Sequence, residues 1–125
     1  MKILVTGGRD YEDYDEFCEV MDRFSLGAQK YWIEKVTHII HGGAKGADAM
    51  ADRWAKDNGI QSVRVDALWD YHGRAAGPIR NKAMLDLLDR ATDVVIAFPG
   101  GAGTASMVAI AQAAGVRTAN AYGDD

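Results

Sequence analysis

Four short apolar runs divide the chain, and three of them end on a pair of glycines. Residues 2–6 lead into Gly7-Gly8, residues 37–40 into His41-Gly42-Gly43, and residues 93–98 into Pro99-Gly100-Gly101. These three are short, rich in β-branched residues and lack clean alternation, which predicts strands buried on both faces of a parallel sheet. The fourth run, residues 61–65, alternates apolar with polar and is placed nearer an edge. A weaker fifth strand is expected over residues 117–121, although Ala119-Asn120-Ala121 is poor β sequence.

Helical periodicity fills the intervals. Tyr14, Phe17, Cys18, Met21 and Phe24 form one stripe over residues 13–24, and a break at Ser25-Leu26-Gly27 separates them from a short helical piece through Trp32 and Ile33. Ala47, Met50, Ala51, Trp54 and Ala55 recur at helical spacing over residues 47–57, before the stop signal Asn58-Gly59. Pro78 is expected at the first position of a helix reaching Arg90, with Ile79, Ala83, Leu87, Met84 and Leu88 as its apolar face. A last, alanine-rich helix covers residues 103–114 and stops at Gly115. Strands alternating with helices imply βαβ units, so the expected fold is a Rossmann-like three-layer α/β domain with a mostly parallel sheet of about five strands. The irregular stretch 67–77 carries Trp69, Asp70, Tyr71 and His72, and reads as the wall or lid of a site or as a surface connection with an aromatic plug.

Length changes this picture little: 125 residues suit a single domain spanning 1–125, and 48% hydrophobic with 26% charged residues is ordinary for a protein with a core. The one cysteine, Cys18, has no partner in the chain and is expected to be a small buried hydrophobe, which suits a reducing cytoplasm. No run approaches the length of a membrane span. A net charge of −4 without any Lys/Arg run argues against a general polyanion-binding surface, so nucleic acid is not the expected partner. His38, His41 and His72 lack ligand-like spacing, and no metal site is expected. His38 reads as a strand-entry residue, while His41 faces the crevice, with contact to a ligand left open.

The glycines carry the candidate chemistry. In open parallel sheets ligands bind beyond the carboxyl ends of the strands, where glycine lets backbone amides approach an anion and a following helix adds a partial positive charge. Gly7, Gly8, Gly42, Gly43, Gly100, Gly101 and Gly103 are the candidate backbone donors, and Arg9, Lys45 and Arg80 the cations that would neutralise phosphate. Thr104 is a candidate phosphate contact and Asp48 a candidate for ribose hydroxyls, although an acid in a helix's first turn is also favoured by the dipole alone. The expected partner is thus a nucleotide-type small molecule. Neither the P-loop spacing nor G-x-G-x-x-G is present, so an ATPase and a standard dinucleotide dehydrogenase are not supported, and no cofactor is expected.

Pro99-Gly100-Gly101-Ala102-Gly103-Thr104 resembles the PGGxGT loop of the SLOG superfamily, which includes the LOG nucleotide phosphoribohydrolases. With Thr6-Gly7-Gly8-Arg9-Asp10, His41-Gly42-Gly43-Ala44-Lys45-Gly46-Ala47-Asp48 and Gly77-Pro78-Ile79-Arg80-Asn81-Lys82, the chain is similar to the YspA-like branch. The resemblance implies a Rossmann-like fold and a nucleotide or nucleotide-derived ligand. LOG enzymes carry a glutamate three residues past the threonine of that loop, where this chain has Met107. The resemblance implies that their arginine corresponds to Arg80, so that half of the pair is missing.

Two functions follow. The first is binding or sensing of a nucleotide-derived ligand. The second is hydrolysis of a nucleotide N-glycosidic bond, with Arg80 and Asp48 as candidate catalytic residues and Asp10 or Asp70 as other carboxylates that could replace the glutamate. DNA binding, as in the DprA relatives, is disfavoured by the acidic charge. Ala105, Ala109 and Ala113 on one side of the last helix allow close packing, either in a homodimer, to which the LOG resemblance also points, or against the chain's own sheet.

Overall fold

The computed structural model describes residues 1–30 and 35–120. Strands β1 (Lys2–Thr6), β2 (His38–His41), β3 (Gln61–Arg64), β4 (Val94–Ala97) and β5 (Arg117–Asn120) form one sheet in the order β3-β2-β1-β4-β5. All four pairings are parallel. Helices α1 (Tyr14–Lys30), α2 (Ala47–Asp57), α3 (Trp69–His72), α4 (Ala76–Leu85) and α5 (Ala102–Ala113) connect them.

Alternation along the central strands separates two apolar layers. Ile3, Val5, Ile39, Val94 and Ile96 pack with Phe17, Val20 and Met21 of α1 and Ala51, Trp54 and Ala55 of α2. Leu4, Ile40 and Val95 point the other way and pack with Met84 and Leu85 of α4 and Met107 and Ala111 of α5. The sheet is therefore the middle of three layers, and its central strands are apolar on both faces because both faces are covered. Gln61 and Arg64 of β3 and Arg117 and Asn120 of β5 are exposed at the two edges.

Several elements differ from the sequence expectation. No break falls at Ser25-Leu26-Gly27: α1 continues to Lys30, since one glycine costs about 1 kcal/mol and Phe17, Val20 and Met21 already anchor the helix. The expected helical piece at Trp32 and Ile33 lies outside the described residues, as does Ala121 of the fifth strand. Cys18 is half-buried against the α1 layer rather than fully enclosed.

The stretch 67–77 is not irregular. It forms α3 and a 3-10 turn at Gly73–Ala75 that runs directly into α4. Pro78 is consequently the third residue of α4, still within the first turn, where its missing N–H needs no partner. Helix α4 ends at Leu85, well before Arg90. The Asp93 carboxylate accepts the amides of Asp89 (2.7 Å) and Lys2 (2.7 Å) and turns the chain into β4. Its apolar face is Met84 and Leu85; Ile79 and Leu87 are 45% and 43% exposed. On α5 the alanines Ala105, Ala109 and Ala113 are exposed, so packing against the chain's own sheet falls to Met107 and Ala111 instead.

Candidate functional site

The strand order reverses about β1. The chain winds through β2 and β3 on one side, then crosses to β4 and β5 on the other. Such a switch point opens a crevice beyond the carboxyl ends of the two strands concerned. Here a cleft of about 540 Å³ lies at the ends of β1 and β4, walled by Thr6 to Arg9, the start of α5 and one face of α4.

The cleft brings together Gly7, Gly8, Arg9, Asp48, Arg80, Gly101, Gly103 and Thr104 of the expected site residues. It does not take in Gly42, Gly43, Lys45 or Gly100. Lys45 is exposed on the loop before α2. Gly42 is buried behind Arg80, whose Nη1 donates to its carbonyl oxygen at 2.8 Å, and a Cβ there would collide with the guanidinium. Gly43 takes φ +74° and lies under Arg64, while Gly100 packs under the Thr104 side chain.

The glycines therefore serve mainly to let loops touch. The Gly8 N–H donates to Pro99 O at 2.6 Å, tying the first loop to the last. Its carbonyl accepts from Ala47 at 3.2 Å and Tyr11 at 3.3 Å, and a side chain at Gly46, φ +75°, would strike that same carbonyl. Against the sequence expectation, the amides of Gly8 and Gly43 are not free for an anion, because Gly43 N–H donates to His41 Nδ1 at 3.1 Å.

Free donors sit instead at the start of α5. Gly101 caps the helix without any side-chain hydrogen bond. The first-turn amides of Ala102, Gly103 and Thr104 have no acceptor within the helix, and none is found for them among the described residues. These residues border the cleft, and no side chain crowds Gly101 or Gly103.

Facing them is Arg80, half-buried on α4. Besides Gly42 O, it reaches Asn81 Oδ1 through Nε at 3.3 Å, and the rest of its donor fork finds no acceptor among the described residues. Asn81, 7% exposed, in turn donates to Gly103 O at 3.4 Å and so spans from α4 to α5. Sequence reasoning missed Asn81 as a site residue, although it adjoins Arg80 in the quoted Gly77–Lys82 motif. Thr6, Trp69 and Ser106 also line the cleft.

Asp48 closes the floor. It is 7% exposed, and burial pushes its carboxyl above the ordinary value of 3.8 against the opposing pull of the Ala44 amide, His41, Arg80 and the Gly42 amide. Its Oδ2 accepts from Ala44 N–H at 3.2 Å, which shapes the loop after β2. Asp10 is exposed and lines a different cavity, and Asp70 is exposed on α3 outside the cleft.

His41 does not face the cleft. At 2% exposure it sits behind the loop. Because Gly43 N–H can only donate, Nδ1 accepts and Nε2 carries the proton, pointing it at Ser62 Oγ (2.9 Å); Ser62 donates on to Asp52 Oδ1 (2.7 Å). Burial lowers the His41 pKa, and its two ring hydrogen bonds make it a brace between β2, β3 and the loop.

Behind the Gly8–Pro99 tie, a second cavity of about 640 Å³ is walled by Asp10, Glu12, Asp13 and Glu16, with Arg9 bordering both it and the cleft. Its carboxylates repel an anion.

Met107, in the position of the LOG glutamate, is 0% exposed among Leu4, Met84, Val95 and Ala111. Met107 itself does not line the cleft.

These features define a Rossmann-like α/β protein with a glycine-lined cleft at the switch point of a parallel sheet. The chain belongs to the YAcAr group, the YspA, cpYpsA-related SLOG family, which it matches over residues 1–72. It is also similar to the Gene 61 protein of Mycobacterium phage D29, at 33% identity over 134 residues covering 98% of this chain and 97% of that protein. No solved structure matches. The matched residues include the loops after β1 and β2, whereas Arg80 and the loop before α5 lie beyond them. Among the described residues no helix is long and apolar enough to cross a membrane.

Proposed function

We propose that the cleft binds a phosphorylated, nucleotide-type ligand, with its phosphate on the first turn of α5 and its sugar over Asp48. The observation that carries this reading is the uncapped start of α5, whose amides open onto a cleft that also holds Arg9 and Arg80. Helix N-termini favour anions through their free N–H groups and dipole, and a guanidinium adds bidentate donors. Thr104 offers a hydroxyl to the phosphate, and Asp48 offers acceptors to ribose hydroxyls. Membership of the SLOG family supports a nucleotide-related ligand. A thermal-shift panel of nucleoside mono-, di- and triphosphates, NAD, ADP-ribose and cyclic nucleotides tests it. A selective rise in melting temperature that disappears in Arg80→Ala supports the assignment, and an equal rise in that variant removes it.

One observation favours a second reading, hydrolysis of the N-glycosidic bond. Asp48 is a buried carboxyl with a raised pKa beside Arg80 in the same cleft. Burial favours its protonated form more than in an ordinary aspartate, and in that form it can give its proton to the departing base as the C1′–N bond breaks, while water forms the new C1′–O bond and returns a proton to the carboxylate. Release of free base by the wild type and its loss in Asp48→Asn, with binding retained, would establish this over simple sensing.

A further inference from the structure

We infer that Trp69 is the base-recognition residue of this cleft, so that the ligand carries a flat aromatic base and is selected over a bare sugar phosphate. The inference rests on the phosphate reading above and adds the other end of the ligand.

Among the described residues, exposed large hydrophobic side chains are few, and three of the five lie here. Leu68, Trp69 and Tyr71 are 58%, 52% and 83% exposed within four consecutive residues. Of these, Trp69 lines the cleft. Its neighbours do not enclose it, and its indole N–H has no acceptor among the described residues. Trp54, by contrast, is 2% exposed and donates to Asp22 at 3.2 Å. A half-exposed indole on the wall of a cleft offers a stacking platform to a planar group.

The ring is positioned rather than loose. Its Cη2 lies against Gly77, where a Cβ would stand 3.4 Å away. Gly77 and Arg80 are three residues apart on α4 and so share one helix face. Their backbones are thereby set roughly 4.5 Å apart along the helix axis, with the indole against one and the guanidinium carried by the other. Pro78, Met84 and Val5 supply apolar lining.

Other occupants fit less well. A quaternary ammonium would also stack on an indole, but Arg9 and Arg80 in the same cleft repel a cation. An acyl chain needs enclosure on all sides, and a half-exposed ring covers one. A planar base needs one face.

The test compares the four common nucleoside 5′-monophosphates with ribose 5-phosphate by calorimetry. Wild type should bind at least one monophosphate about tenfold or more tightly than ribose 5-phosphate. Trp69→Ala should abolish that preference while leaving ribose 5-phosphate binding unchanged, and Trp69→Phe should retain most of it. Indole fluorescence should respond to the monophosphate in wild type and lose that response in Trp69→Phe. A preference that survives Trp69→Ala, or a wild type without preference, overturns the inference. In that case ribose 5-phosphate binding lost in Arg80→Ala leaves the phosphate reading standing; binding of neither ligand overturns both.

Discussion

Arg80 Nη1 donates to the Gly42 carbonyl oxygen at 2.8 Å, fastening the arginine of α4 to the loop that follows β2. The bond orients the guanidinium from behind and leaves part of its fork for the cleft. Arg80→Ala should weaken binding of a nucleoside monophosphate by roughly ten- to hundredfold, the range for a hydrogen bond to a charged group. Arg80→Lys should recover little, because an ammonium cannot hold Gly42 O and a phosphate in one planar geometry. Calorimetric titration of the two variants checks both outcomes.

Glycine substitutions separate packing from binding. Gly46→Ala should destabilise by about 2 kcal/mol or more, because the residue has φ +75° and meets the Gly8 carbonyl. Gly103→Ala meets nothing within 4 Å, and alanine suits a helix better by up to about 1 kcal/mol. Its melting temperature should hold or rise. Any loss of ligand affinity in Gly103→Ala then reports the ligand itself, and denaturant unfolding with and without ligand measures the two effects.

Asp48 gives a pH dependence whose sign is set by burial. Its folded-state pKa lies above 3.8, so ionisation costs stability that is fully felt above the raised value and vanishes below 3.8. Asp48→Asn keeps an acceptor for Ala44 and removes the charge. The variant should be more stable than wild type at pH 7, and the gain should fade as pH falls through that window. Melting temperatures across pH 3–8 should reveal the crossover.

His41 works in the opposite direction. Burial lowers its pKa below 6.5, so the unfolded chain takes up a proton that the folded one refuses. Stability from this group is complete above pH 6.5 and declines as pH falls from there to the lowered value. In His41→Asn the side-chain oxygen can still accept from Gly43 N–H, and this part of the pH dependence should flatten.

Reinstating the LOG glutamate should fail. Met107→Glu would place a carboxylate among Leu4, Met84, Val95 and Ala111 with no partner, at a cost of about 3–5 kcal/mol. Circular dichroism melts should show that loss.

Much of this was legible in the residues. Unbroken apolar runs such as Ile3-Leu4-Val5 mark strands covered on both faces, and the glycine pairs after them mark loop ends that must touch. What was not legible depends on tertiary partners. Nothing local tells that the Gly8 amide is spent on Pro99, that His41 turns back to Ser62, or that Asp93 captures Asp89 and shortens α4. Periodicity placed Ile79 and Leu87 inward because apolar residues recur on more than one face of residues 79–88, whereas α4 stops at Leu85 and the sheet takes up Met84 and Leu85. The path from Trp69 to Ala76 hid its helical turns behind Gly73, which takes φ +58° between them.

The central claim is that phosphate sits on the first turn of α5. A titration of the ¹⁵N-labelled protein with a nucleoside monophosphate, read in amide correlation spectra, tests it residue by residue. The account predicts that the largest shifts fall on Ala102, Gly103 and Thr104, with the Gly8 amide moving less because Pro99 already holds it. Shifts centred on the acidic cavity around Asp10 to Glu16, or no shifts at α5 with saturable binding elsewhere, would contradict it.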